Sequence, residues 1–214
     1  MARGEPDRHV EVPIDYDPRV VQGDGPSARS AREAMTTLHG AWIRIRDAAA
    51  DQTVDLPRLA KAAQSAMERA LTVTDGALER ITAQIGHIER DIVALTQPRV
   101  DPALASEIRA FWRQRGWTNG LPEAARTDAR TASAVLSAPA YLSGLDDKQR
   151  EVVRQEAVHG HAAERQAELD EARRAHDKIA RAGSRMIELV SPRVRDWSQP
   201  DNANLIALEG MSRG

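Results

Sequence analysis

A heptad pattern of apolar residues is the strongest periodic signal along the chain. Its members recur at alternating spacings of three and four residues: Leu71, Thr74, Leu78, Ile81, Ile85, Ile88, Ile92 and Leu95. Such a narrow stripe is typical of a helix that packs on a partner helix at a shallow angle. Because Pro57 suits a first helical turn and the next proline is Pro98, the pattern predicts one helix about 60 Å long over residues 57–97.

A second stretch, residues 146–191, predicts a long return helix because no proline interrupts it. Asp146 and Asp147 open it with negative charge, which favours a helix N-terminus. Its large apolar residues are few, and alanines fill the rest. Gly160 is its weakest point, because glycine costs about 1 kcal/mol inside a helix. The sequence around it therefore predicts a kink or a frayed turn.

Two further regions complete the predicted helical content. An apolar stripe at helical spacing consists of Met35, Leu38, Trp42 and Ile45. It predicts a helix from about residue 28 to about residue 50, so residues 28–97 hold this helix followed by the long heptad helix. Residues 98–145 contain four prolines and four of the seven aromatic residues. We expect short helices there, which form a small helical head with its own core.

The two ends of the chain show no helical period. Residues 1–27 hold four prolines and three glycines and predict an extended N-terminal arm. Residues 192–214 predict a C-terminal tail with a short apolar motif at 205–208. We expect both ends to bind partners rather than to belong to the fold. Removal of residues 1–25 should then leave the melting temperature nearly unchanged.

Together these elements predict an all-α fold. Two long helices of similar length flank the small head, so the economical arrangement is a long antiparallel helical hairpin, coiled-coil-like, with the head at its tip. The helix of residues 28–50 is expected to pack at the base, and the termini are expected to be extended. The scarcity of aromatic residues argues against a β-sandwich or a barrel.

Composition narrows the classes of function. The chain of 214 residues has 30 basic and 32 acidic side chains, whereas a protein that coats DNA usually shows a basic surplus. The lack of cysteine excludes a disulfide framework, a thiolate metal site and a cysteine nucleophile. No apolar run approaches the roughly 20 residues that span a bilayer, and the first residues lack an apolar signal core. We expect neither membrane insertion nor secretion by a signal peptide.

Local motifs of enzyme chemistry are absent from the sequence. It contains no nucleophile elbow of the GxSxG type, no GxxxxGKS phosphate loop and no GxGxxG. His159 and His161 would point about 200° apart on a helix, so they cannot bind one ion together. Neighbouring carboxylates such as Asp146 and Asp147 do not converge either. We therefore expect no enzyme activity, no cofactor and no metal.

One segment interleaves arginines with aromatic residues. It contains Arg109, Trp112, Arg113, Arg115 and Trp117, here called the Arg/Trp segment. Such a combination suits a face that binds single-stranded nucleic acid by stacking and phosphate contacts. Alternatively, the aromatic residues fill the core of the head while the arginines face solvent, and the apolar surroundings favour this second interpretation.

The stretch TASAVLSAPAYLSGLDDKQREVVRQEA, residues 131–157, resembles a segment of small Ala/Arg-rich helical proteins of tailed bacteriophages and prophages of GC-rich bacteria. Its specific motif is Ala134–Leu145, and the resemblance covers residues 57–190. That family has no assigned activity, so no residue role can be carried over. The resemblance implies a viral origin and a part in the virion or in its assembly.

These observations favour a non-enzymatic bacteriophage structural or assembly protein, either a scaffold or a virion component of the head, neck or tail. The expected partners are further copies of the chain and the capsid, portal, neck or tail proteins. The expected self-association seam consists of Leu71, Leu78, Ile81, Ile85, Ile88, Ile92 and Leu95. The alternative is a nucleic-acid-binding module that uses the Arg/Trp segment. We expect the protein in the virion or in the cytoplasm of the bacterial host, without a membrane partner.

Overall fold

A computed structural model of the protein describes residues 8–13 and 16–199, and within these residues it contains helices and no strand. The helices are α1 Pro26–Ala50, α2 Leu56–Thr96, α3 Pro102–Arg115, α4 Leu121–Thr127, α5 Ala129–Leu136, α6 Asp147–His161 and α7 Ala163–Ser198. Short 3₁₀ turns lie at Pro18–Val20, Trp117–Asn119 and Ala140–Ser143. The predicted all-α class is confirmed, and so are two helices of more than thirty residues, since α2 has 41 and α7 has 36.

The ends of α2 lie where local chemistry places them. The Asp55 side chain accepts a hydrogen bond of 2.8 Å from the backbone N–H of Arg58, which satisfies a donor of the first turn. Pro98 follows the last turn, and the residue before a proline is driven away from helical geometry. These two signals limit α2 to Leu56–Thr96, within one residue of the predicted ends at both termini.

The predicted return helix is interrupted near Gly160, where the sequence predicts a kink or a frayed turn, and it ends later than predicted. It is divided at Ala162, whose φ of −140° and ψ of 24° lie outside helical geometry, so α6 ends and α7 begins there. It also continues through Pro192 to Ser198, although the prediction ended it at residue 191. Proline removes one hydrogen bond from a helix, but the buried side chains of Val190 and Trp197 anchor α7 on both sides of it.

The chain divides into two compact units, each described here by itself. Unit 1 comprises residues 1–82 and 174–214, and unit 2 comprises residues 83–173. In unit 1, the Met67 sulfur lies 3.9 Å from the Ser191 hydroxyl, and Gly183 lies beside Thr74. The order of these contacts shows that α2 and α7 run antiparallel within this unit.

The described residues of the N-terminal segment contribute to the core of unit 1, so for them the expectation of an arm outside the fold is wrong. Tyr16 is almost completely buried, stacks edge-on against Trp42 at 5.7 Å between ring centroids, and donates a 2.5 Å hydrogen bond to the Ala182 carbonyl. Val10 and Val21 are buried as well. Apolar and aromatic burial outweighs the lack of helical period here. The predicted motif at 205–208 lies outside the described residues.

Unit 2 has its own hydrophobic cluster. Its buried members are Trp112, Leu121, Ala125, Ala132, Val135, Leu136, Leu145, Val153 and Ala157. The last two come from α6, which the prediction assigned to the return helix rather than to the head. The cluster therefore needs α6 as one wall, because the short helices α3, α4 and α5 cannot enclose a core alone.

Candidate functional site

The predicted self-association seam is partly buried inside the protein itself. Ile81, Ile88 and Ile92 are buried, and a second group, Leu71, Leu78 and Ile85, is only half-buried. Leu95 is exposed. The structure thus divides the seven predicted residues into an internal row, a flanking row and one residue in solvent.

The buried face of α2 is shifted towards small residues. Ala63, Ala66, Ala70 and Ala77 are all buried, and Ala70 and Ala77 each lie one position before a half-buried leucine. A Cβ atom on Gly183 of α7 would lie 3.5 Å from the Thr74 Cγ2, so the two helices approach closely in unit 1. The sequence carried the signal for this, because these alanines, together with the buried Thr74, are spaced by three or four residues, as the larger side chains are.

Two arginines of the Arg/Trp segment bind backbone carbonyls of unit 2. Arg109 donates from Nη1 to the Ala134 carbonyl at 2.9 Å, and Arg113 donates from Nε to the Leu142 carbonyl at 3.1 Å. Carbonyls near a helix C-terminus lack intrahelical partners, and cations there are stabilised by the helix dipole. These two arginines therefore hold the last turn of α5 and the Ala140–Ser143 turn in place.

Two side chains of α6 have the same role at neighbouring helix ends. Arg150 donates to the Leu136 carbonyl at 2.5 Å, and His161 donates from Nε2 to the Ala125 carbonyl at 2.9 Å. The donors and acceptors are separated by 14 and 36 residues in sequence, so no local motif identifies them. The sequence analysis considered His161 only as a candidate metal ligand.

The remaining members of the Arg/Trp segment form a partly exposed aromatic group. Trp112 is buried, and Trp117 is half-buried against the same cluster. Phe111 is 50% exposed, and it stacks edge-on against Trp112 at 5.1 Å. The guanidinium carbon of Arg115 lies 5.6 Å from the centre of the Phe111 ring, within the range of a cation–π contact. The outer face of this segment thus consists of one aromatic ring and one cation.

A groove of about 430 Å³ in unit 1, which the sequence analysis missed, is lined by cations. Arg44 comes from α1, and Arg58, Lys61 and Arg69 come from α2. The three α2 residues are spaced by three and eight positions, which places them on one side of the helix. The signal in the sequence was this spacing, but the contribution from α1 depends on tertiary packing. No carboxylate from the described residues lines the groove.

A second groove, of about 470 Å³, lies in unit 2 beside the break between α6 and α7. Its lining includes Glu151, Arg154 and His159. Glu151 forms an ion pair of 3.2 Å with Arg154, and both side chains are about half exposed. Because solvent screens such a pair, it adds little to the stability of the fold.

Perturbed ionisable groups among the described residues cap turns and helices or form surface ion pairs. Burial raises the pKa of Asp128, but hydrogen bonds from the Thr131 hydroxyl and from the backbone N–H groups of Arg130 and Thr131 lower it by more, so the net pKa is below the ordinary value. The pKa of Asp17 is lowered chiefly by its hydrogen bond from the Arg19 side chain. Neither carboxylate lines either groove.

The part of the chain that the structure describes holds no group of three or more potential metal ligands. Within the same residues, no helix combines the length and apolar character that crossing a bilayer requires.

Comparison of this chain with protein-family models, with curated proteins and with solved structures finds no match.

Proposed function

We propose that the protein is a non-enzymatic structural or assembly component of a bacteriophage particle. The observation that carries this proposal is an apolar face of α3 that the core of unit 2 leaves in solvent. Leu104 and Phe111, seven residues apart on one side of α3, are 40% and 50% exposed, whereas Trp112, about 100° round the helix from Phe111, is buried. Exposed apolar side chains that line up on one helix face mark interaction sites more often than scattered ones do.

Phage origin rests on the resemblance of residues 131–157. In the motif Ala134–Leu145, the residues Val135, Leu136 and Leu145 belong to the buried cluster of unit 2. The motif is therefore accounted for by packing, and it supports a shared head architecture rather than a shared reactive site. The proposal includes the antiparallel helical hairpin that the sequence predicts, with residues 98–145 as its small helical head.

The test of the phage assignment is the composition of purified particles. Mature particles and immature heads from infected or induced cells are analysed by mass spectrometry. A virion component is expected in mature particles, and a scaffold is expected in immature heads alone. Absence of the chain from both would contradict the proposal, whichever substructure was intended.

The α3 face is tested by replacing its two exposed apolar residues. Leu104→Ser with Phe111→Ser is expected to reduce self-association or incorporation into particles while leaving the melting temperature within a few degrees of the parent. Val152→Ser on α6 is the matched control, because Val152 is also exposed but lies on another helix. Equal assembly of the double variant and the control, measured by sedimentation and particle composition, would remove the α3 face from the proposal.

Nucleic-acid binding is the second candidate, and the exposed Phe111–Arg115 pair is the observation that favours it. Only this outer part of the Arg/Trp segment is suited to it, because Arg109 and Arg113 are engaged by backbone carbonyls. The expected signature is retention of a single-stranded oligonucleotide that weakens with salt and with Arg115→Gln. A lack of any salt-dependent binding would exclude this candidate.

A further inference from the structure

The cationic groove of unit 1 brings four cations together, and no carboxylate from the described residues lines it. Several arginines outside the groove pair with carboxylates: Arg46 with Asp47 at 2.8 Å, and Arg173 with Glu89 at 2.8 Å. Of the four groove cations, Arg58 has such a partner, Asp55 at 3.2 Å. Among the described residues, no carboxylate oxygen lies within 4.0 Å of the charged nitrogens of the other three groove cations, Arg44, Lys61 and Arg69.

Neighbouring carboxylates of α1 and α2 are engaged outside the groove. Asp47 accepts two hydrogen bonds from Arg46, and Glu68 accepts one from the Gln64 amide at 2.9 Å. Neither residue lines the groove. The four groove cations are all exposed and therefore retain a positive field that an anionic ligand can complete.

The floor of the groove is aliphatic. Ile45, Ala63 and Ala66 are buried beneath the cations, and none of the described residues that line the groove is aromatic. Single-stranded nucleic acid binds best where bases stack on aromatic side chains, so this floor does not favour it. Small aliphatic residues instead suit the close approach of another helix, with its own small or aliphatic side chains facing inwards.

The dimensions agree with a short helical ligand. Arg58 and Arg69 are separated by about 16 Å along α2, which corresponds to three turns of helix at 1.5 Å per residue. Over that length, a ligand helix with acidic residues at every third or fourth position presents about three carboxylates on one side. Arginine and lysine at the rim then meet these carboxylates while the floor receives the apolar residues.

We propose that this groove is a docking site for an acidic amphipathic helix of a partner protein. The cations select for carboxylates, and the alanine floor selects for aliphatic side chains between them. This inference does not depend on the exposed face of α3, on which the proposed function rests, so each can fail alone.

The test uses the full chain and a fluorescein-labelled helical peptide in which glutamates alternate with alanine and leucine at helical spacing. Binding is followed by fluorescence anisotropy at low ionic strength. Arg44→Gln with Lys61→Gln is expected to weaken binding by about tenfold, since each removes one partly exposed ion pair. The matched control is Arg80→Gln with Arg90→Gln, which removes the same charge from exposed positions on α2 and is expected to change binding less than twofold.

Circular dichroism of each variant establishes that it remains folded. Lys61→Glu, at an exposed position, is a second variant of the groove. Equal weakening by the groove and control variants would overturn the proposal, and so would equal binding of a peptide with lysine in place of glutamate. Tighter binding of a single-stranded thymidine oligonucleotide, displaced by the same groove substitutions, would assign the groove to nucleic acid. A dimer of the protein alone that the groove variant dissociates would assign it to a second copy of the chain.

Discussion

Unit 1 and unit 2 are stabilised by different means, although both are built only from helices in their described parts. Unit 1 joins long helices along rows of small residues and buries Tyr16, Trp42 and Trp197 among them. Unit 2 joins short helices, whose many ends leave backbone groups unpaired. Arg109 and His161 are two of the side chains that cross to those ends and bind their carbonyls. Periodic apolar packing dominates the first unit, and polar contacts between distant residues organise the second.

The largest effect is expected from a substitution at Gly160, where α6 approaches the backbone of α4. A Cβ atom on Gly160 would lie 1.9 Å from the Arg126 carbonyl oxygen, and backbone cannot move aside as a side chain can. We expect Gly160→Ala to lower the free energy of unfolding by more than about 4 kcal/mol, the range reserved for severe disruption. Urea unfolding followed by circular dichroism measures it.

A matched glycine gives the control for that measurement. At Gly86 in α2, an added Cβ would lie 3.7 Å from the flexible Arg90 side chain. Gly86→Ala is therefore expected to stabilise the protein by about 0.5–1 kcal/mol through helix propensity. If the two substitutions change the free energy of unfolding similarly, the close approach of α4 to α6 does not determine the stability of unit 2.

The next prediction concerns Ile81, the member of the buried row of α2 that lies in unit 1. Ile81 is completely buried, so Ile81→Asp places an unpaired charge in the core and should cost several kcal/mol. Ile85, in the half-buried row, keeps access to water, and Ile85→Asp should cost clearly less. Thermal and urea unfolding of both variants decide this. Equal losses would show that the half-buried row is as tightly packed as the buried row.

Tyr16 tests whether the N-terminal segment contributes to unit 1. Removal of the hydroxyl in Tyr16→Phe leaves the buried Ala182 carbonyl without that donor and is expected to cost about 1–2 kcal/mol. Deletion of residues 1–25 removes the ring as well, so the melting temperature should fall by more than in Tyr16→Phe. An unchanged melting temperature after deletion would restore the view of this segment as an arm outside the fold.

The smallest effect concerns the cap of α5 in unit 2. Asp128 accepts hydrogen bonds from the backbone N–H groups of Arg130 and Thr131, both at 3.1 Å. Asp128→Ala is expected to cost about 1 kcal/mol at neutral pH, and Asp128→Asn, which keeps a capping side chain, only a few tenths. Urea unfolding measures both.

The same carboxylate provides a pH test. Because folding lowers the pKa of Asp128, its charge stabilises the folded protein above the unfolded pKa, and this contribution disappears as the pH falls through the lower folded value. The parent should therefore lose more stability than Asp128→Asn between about pH 5 and pH 2. Equal losses of stability in the parent and in Asp128→Asn would mean that folding does not favour the charged form of Asp128.

The extent of α2 and the start of α6 could be predicted from the sequence because both depend on residues that are near one another in the chain. A heptad stripe between Pro57 and Pro98 leads to Leu56–Thr96, and the pair Asp146–Asp147 leads to a helix that begins at Asp147 with Asp146 as its cap. These elements depend on periodicity and on side chains within one turn of the helix end.

The remaining features depend on residues that meet only in the folded chain. The sequence predicts a kink or a frayed turn near Gly160, and the helix divides at Ala162, but the close approach of Arg126 to Gly160 has no signal in the sequence. The cationic groove requires Arg44 from one helix and Lys61 from another. A single sequence carries no periodicity for such contacts, so they could not be inferred before the fold was known.

The distribution of tryptophan makes the two units optically distinguishable. Trp42 and Trp197 lie in unit 1, and Trp112 and Trp117 lie in unit 2. The two unit 1 indoles are sealed from water, whereas Trp117 is half-buried and senses a more polar surrounding. Replacement of either pair by phenylalanine leaves a chain whose intrinsic fluorescence reports one unit alone, so the order in which the units melt becomes a measurable property of the unlabelled protein.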